Sequence, residues 1–290
     1  MTSLKFVICT LVLCICIPVY ATDMTAEVGT YKKTTRRIES VIDSVGIDST
    51  IHIFRSRFNG HYDKRHYNGK RDNALLIPNT SRPDDITLIV WFHGLGGFSK
   101  KTFLRVYTQI KKIADHNHSI AVSIPEMPWS INTNTKRTRQ GRVWMYGGEF
   151  SGFVQENIDR LAMWSEVQHN KELGSVRLVV VGHSAGGSAI AAAAKEGSLC
   201  ELKPQAIIWS DASYDHWLHN AWDSCLSEGA SKMHVLVRKW DTPYRRAMGF
   251  METFKPPSSL KLHVLQRKEW THGRIGNNAL MLAKIFSPGC

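Results

Sequence analysis

From residue 51 onward, short apolar runs alternate with stretches in which apolar residues recur every three or four positions. The runs Ala74 to Ile77, Ile86 to Phe92, Ile120 to Ile124, Val176 to Val181, Ala206 to Trp209, Met233 to Val237 and Leu260 to Leu265 predict strands. Several are almost unbroken Val, Ile and Leu, the composition of strands covered on both faces in a parallel sheet. Between them, Phe103, Val106, Tyr107, Ile110, Ile113 and Ala114 fall at helical spacing, with Lys100, Lys101, Lys111 and Lys112 mostly off that stripe. A second helix is predicted over about 153–167, with Val154, Ile158, Leu161 and Ala162 inward, and an alanine-rich third follows Ser184. A last helix is predicted over about 274–286, ahead of Pro288 and Gly289. Strands and amphipathic stretches in this alternation predict an α/β protein with a doubly wound, mostly parallel sheet.

Two segments depart from the pattern. Residues 22–50 are charged and weakly patterned, and are expected to form an arm before the first strand. The stretch 126–150 is expected to be irregular, too long for an ordinary connection in a compact sheet, and loops of that length commonly carry function.

The first 21 residues carry one charge, Lys5, then an apolar run from Phe6 to Val19 and the small-residue site Val19-Tyr20-Ala21, which together predict a cleaved signal peptide. The apolar run is shorter than the ~20 residues of a membrane span, so export without a stable membrane anchor is expected, to a secreted or periplasmic location. The predicted organisation is thus a leader at 1–21, an arm at 22–50 and one domain over 51–290.

Export changes how the cysteines read. Cys9, Cys14 and Cys16 fall in the leader, leaving Cys200, Cys225 and Cys290; Cys200 and Cys225 are expected to pair, with Cys290 as the rival partner. No cysteine pair has metal-ligand spacing and the thirteen histidines contain no HExxH helix, so no metal is expected. Net charge is +12, falling to +11 once Lys5 leaves with the leader, a surface expected to adhere to anionic polymers at a cell surface. The basic residues are dispersed, with no repeat of stacked aromatic and basic side chains, so nucleic acid is not an expected partner.

Candidate chemistry starts at Gly182-His183-Ser184-Ala185-Gly186, which lies between a predicted strand and the alanine-rich helix. A strand-to-helix turn this sharp forces the serine into strained backbone and exposes its hydroxyl at a helix N-terminus, where the dipole favours developing negative charge. His93-Gly94-Leu95-Gly96-Gly97 follows an earlier strand at the place of an oxyanion hole, so the amides of Leu95 and Ala185 are the expected donors. His272, after the last strand, is the expected base, whereas His263 lies within that strand and is expected to pack against a neighbour. The acid is either Asp241, four residues past its strand, or Asp211, at the end of the preceding one; the position after the penultimate strand favours Asp241. Trp129, Arg142 and Trp144, within 126–150 among Lys136, Arg137 and Arg139, are candidate substrate-binding residues, beside the blander reading of a solvated basic loop.

Strand, HGLGG, helix, strand, GHSAGG, helix, then Asp and His in that order resembles the α/β-hydrolase superfamily over residues 74 to 286. Within it the chain is similar to secreted serine esterases of the feruloyl esterase and polyhydroxybutyrate depolymerase type, none of whose specificity motifs is present. The resemblance implies an α/β-hydrolase catalytic domain that cleaves a small-molecule or polymer carboxylic ester through a Ser-His-Asp triad and an acyl-enzyme, without a cofactor. An amidase or peptidase would use the same parts, and a non-catalytic binding module at an anionic cell surface is the reading from a different class.

Overall fold

A computed structural model describes residues 40–46, 48–58, 72–94, 100–114, 119–125, 129–132, 137–140, 149–229, 231–266 and 268–276. Its centre is an eight-stranded sheet built from β1 (Ser49–Arg55), β2 (Asp72–Pro78), β3 (Asp85–Phe92), β4 (Ile120–Pro125), β7 (Ser175–His183), β8 (Ala206–Ser210), β9 (Lys232–Arg238) and β10 (Leu260–Leu265). The spatial order is β1-β2-β4-β3-β7-β8-β9-β10. From β2 inward, β2 pairs antiparallel with β1 and β4, and every later pair is parallel. The doubly wound sheet that the hydrophobic pattern predicts is therefore present.

Every residue of β3 from Ile86 to Phe92 is buried, because helices cover both faces. One face packs Leu88, Val90, Val180, Ile207 and Val235 beneath α2 (Phe150–His169), α3 (Gly187–Glu196), α5 (Trp217–Ser224) and α6 (Thr242–Phe254). The other packs Ile89, Val122, Val179 and Ile208 against Phe103, Val106, Tyr107, Ile110 and Ile113 of α1 (Lys100–Ala114), the stripe read from the sequence. The short helix α4 (Ser198–Glu201) precedes β8.

The structure differs from the sequence reading at two segments. Within residues 22–50, positions 40–45 are helical and Val41 and Ile42 are fully or almost fully buried in the second core, so part of the expected arm belongs to the packed domain. β1 follows at the sheet edge, where only Phe54 is buried; an edge strand with polar residues interleaved gives a weak apolar signal. Within 126–150, β5 (Trp129–Asn132) and β6 (Arg137–Gln140) pair antiparallel as a separate two-stranded sheet, a regular element that the strongly polar second strand conceals.

Cys200 and Cys225 form a disulfide, with Cα atoms 6.1 Å apart. The bridge brackets β8 and the loop after it, tying the end of α4 to the end of α5. Cys290 lies outside the described residues.

The strand order also locates the crevice. The chain passes from β3 outward to β4 and returns to the far side of β3 as β7, so the winding reverses between β3 and β7. Connections leave such a point in opposite directions and open a cleft at the carboxyl ends of its two strands. Gly94 and Ser184 both lie there.

Candidate active site

β7 runs straight into a 3₁₀ turn, Ser184–Gly186, and then into α3. Ser184 sits at the apex with φ +54°, a left-handed conformation that a residue with a Cβ adopts only at a cost, which the surrounding packing must hold. Gly186 permits the turn: a Cβ there would come within 2.4 Å of the Phe92 carbonyl oxygen at the end of β3. Gly94 is under the same constraint from the other side, since its Cβ would lie 2.9 Å from Cβ and 3.4 Å from Oγ of Ser184. The backbone after β3 therefore approaches the serine directly, as donors aimed at an oxyanion require. Ala185 is buried in the turn beside Ser184; Leu95 lies outside the described residues.

His272 opens a helical turn over 272–276. Its Nδ1 is 2.6 Å from Oδ2 of Asp211, whose side chain is 1% exposed against 36% for the imidazole. Asp211 follows β8 directly, with φ +49°. Its amide donates to the Leu236 carbonyl, and its Oδ1 faces the Arg238 amide at 3.5 Å. Both contacts tie the carboxylate to β9.

The preference for Asp241 does not match this geometry. Asp241 stands just before α6 without a capping hydrogen bond from its side chain, and its carboxylate takes the Arg238 guanidinium in an ion pair rather than His272. The reason is the sheet order: β8 is the strand next to β7, so its end lies one step of about 4.8 Å from the serine-bearing strand, and the end of β9 lies two. The chain after β10 runs back across the strand ends until His272 meets Asp211.

Two further residues join the group. His183, buried beside Ser184, stacks on Trp91 and donates from Nε2 to the His272 carbonyl at 3.1 Å. Its ring lies 4.7 Å from the His272 ring, and a Cβ on Gly276 would collide with it. The residue before the serine thus holds the segment that carries the imidazole. Tyr214 sets its ring edge-on to His272 at 6.5 Å, and burial and the nearby Asp211 carboxylate push its hydroxyl up to about 12. The sequence pattern alone assigns neither Tyr214 nor His183 a role. The one available signal for His183 is its place inside the serine motif.

Trp129 lies on β5, with its side chain outside what is described; Arg142 and Trp144 lie outside the described residues. Among the described residues no cluster of three or more metal-ligating side chains occurs, and no helix is long and apolar enough to cross a membrane.

Several histidines are held neutral. Burial pushes His93 down to about 4 and His183 down to about 3, the latter helped by the nearby His272 and His93 rings and Arg105. On β9 and β10, His234 and His263 stack with Nδ1 and Nε2 3.0 Å apart; burial, the partner ring and nearby lysines push His234 down to about 4, and burial and Lys261 lower His263. In the unfolded chain each protonates near 6.5. The stability tied to these neutral rings is therefore complete above about pH 6.5 and is lost as pH falls toward 4, because the unfolded state takes up more protons. The melting temperature is expected to fall by on the order of 10 °C between pH 7 and pH 4.5. Calorimetry across that range checks it, and a flat profile would mean that these rings are solvated.

No protein-family model and no curated protein matches the chain's sequence. Solved structures do match. An S-formylglutathione hydrolase from Agrobacterium tumefaciens aligns at TM-score 0.50 and 14% identity, over 82% of this chain and 93% of that one. One from Staphylococcus aureus aligns at 0.48 and 13%, over 83% and 96%, and a ferulic acid esterase at 0.49 and 13%, over 83% and 98%. At such identities the likeness is one of fold.

Proposed function

We propose that this chain, which has the α/β-hydrolase fold, is an exported serine hydrolase that cleaves a carboxylic ester through Ser184, His272 and Asp211. The observation that carries this reading is the 2.6 Å contact between a buried carboxylate and His272, beside a serine held at φ +54° at the switch point of the sheet.

In the reaction, Nε2 of His272 takes the Ser184 proton as Oγ bonds to the substrate carbonyl carbon. Asp211 holds Nδ1–H, which fixes the tautomer and stabilises the imidazolium. The amides of Ala185 and Leu95 bind the oxyanion, each donor worth about 3–4 kcal/mol. Collapse expels the alcohol with the proton from His272, and water then releases the acid by the same path. No cofactor takes part in these steps.

The purified protein is expected to react with a fluorophosphonate at one site, Ser184, and to hydrolyse p-nitrophenyl esters drawn from acetate, butyrate and ferulate. Mass spectrometry and absorbance read the two results. A chain that neither labels nor turns over would favour a binding module at an anionic surface, to which its +12 charge is suited.

A further inference from the structure

We infer that His183 is a positioning residue for the reaction: one imidazole joins the turn that carries His272 to the nucleophile turn and to the backbone after β3, and so sets the reach of His272 Nε2 to Ser184 Oγ. This rests on the hydrolase reading of the site.

Strand geometry sends the ring to that place. Side chains alternate across a strand, and Val179 and Val181 pack in the second core, so His183, the last residue of β7, points to the same face. Ile275, from the turn over 272–276, is buried in that core as well. Trp91 supports the ring, stacked at 15° with centroids 6.4 Å apart. Nε2 lies 3.1 Å from the His272 carbonyl oxygen. A carbonyl can only accept, so Nε2 carries the proton and Nδ1 keeps its lone pair. Nδ1 in turn faces Gly94: a Cβ there would stand 3.5 Å from it and 3.4 Å from Ser184 Oγ. One side chain therefore meets the base-bearing turn and the turn after β3, while its own backbone leads into Ser184.

The fit on the base side is tight. A Cβ on Gly276 would lie 2.3 Å from Cδ2 and 2.6 Å from Nε2 of His183, and a Cβ on Gly273 would lie 2.8 Å from Nη1 of Arg105 on α1. The turn is seated between a ring and a guanidinium, with no side chain of its own at either contact. Proton transfer requires His272 Nε2 within hydrogen-bond reach of Oγ, and a displacement of about 1 Å costs on the order of 100-fold in rate. The ring's charge state suits this place. The titratable and charged groups that face it are His272, His93 and Arg105, and together with burial they hold it down at about 3. It is uncharged throughout the neutral range, so the imidazolium that forms on His272, 4.7 Å away, meets no opposing charge from this ring.

The test compares His183→Gln with His183→Met. The two side chains are close in length and size, and only glutamine offers an N–H near the place of Nε2. On p-nitrophenyl butyrate, His183→Met is expected to lose about 100-fold in kcat with KM within about 2-fold, and His183→Gln less than about 5-fold. The rate of fluorophosphonate labelling at Ser184 should follow kcat, because that step uses the same base. Melting temperatures should fall alike in the pair, since both lose the stack on Trp91, so the gap in kcat is not a loss of fold. Gly276→Ala reaches the same contact from the other side and is expected to lower kcat by about 10-fold or more, again with KM kept. Between about pH 5 and pH 9, kcat/KM of the wild type and of His183→Gln should share a single acidic limb. Equal kcat in the Met and Gln variants, a smaller loss at Gly276→Ala, or a second ionisation in the wild type that the Gln variant lacks would each overturn the inference. An unlabelled, inactive wild type removes the hydrolase reading itself, whereas a labelled, active wild type with Met and Gln variants alike removes only this inference.

Discussion

Ser184→Ala is expected to lower turnover by about 10⁴- to 10⁶-fold and to abolish fluorophosphonate labelling, with the fold intact. The loss is this large because the oxygen that bonds to the substrate carbon is gone, and His272 and Asp211 are left with nothing to activate. Alanine keeps a Cβ at φ +54°, so the backbone strain of the turn remains and the melting temperature should barely move. Ser184→Gly separates the two properties. It is expected to be just as inactive yet to gain up to about 1 kcal/mol in stability, since glycine adopts positive φ without the Cβ penalty. Steady-state kinetics and thermal melts of the two variants decide the matter. Near-normal hydrolysis by either would remove Ser184 from the mechanism, and a glycine variant less stable than the alanine variant would remove the strain.

Asp211→Asn should cost about 10⁴-fold in kcat, with a small change in KM. The asparagine still fits the space, but an amide nitrogen can replace the oxygen facing Nδ1, reversing the tautomer and leaving Nε2 unable to take the Ser184 proton; the developing imidazolium also loses its counter-charge. Asp241→Asn removes a carboxylate that faces Arg238 rather than His272, and the expected loss is within about 10-fold, part of it from the unpaired guanidinium beside the Asp211 loop. Assayed side by side, the two variants answer one question. A larger loss at Asp241 would mean that His272 leaves Asp211 when substrate binds.

How much of this was legible beforehand can be followed residue by residue. The strands around Val90 and Val180, the stripe of α1 and the glycines beside Ser184 are local signals: burial on both faces demands unbroken apolar runs, and a tight turn excludes a Cβ at fixed offsets along the chain. Each constraint acts over a few residues, so it is written in those residues. Cys200 and Cys225 are nearly as local, since they bracket one strand and the helix after it.

The carboxylate is another matter. Asp211 and Asp241 both follow apolar strands by a short step, and nothing in either neighbourhood says which strand lies beside β7 or that Arg238 engages Asp241. β1 at the edge carries too few buried side chains to leave a clear periodicity, and β5 and β6 are four residues each, the second of them entirely polar. His183 and Tyr214 meet His272 from 89 and 58 positions away, and such contacts exist only once the strand ends are assembled. The sequence by itself determined the sharp turn at Ser184, the place of His272 after the last strand and the kind of sheet, because backbone sterics and burial impose those locally. Which carboxylate meets the His272 imidazole, and which side chains pack against that imidazole, only the tertiary structure decided, because lateral strand order sets distances that spacing along the chain does not encode.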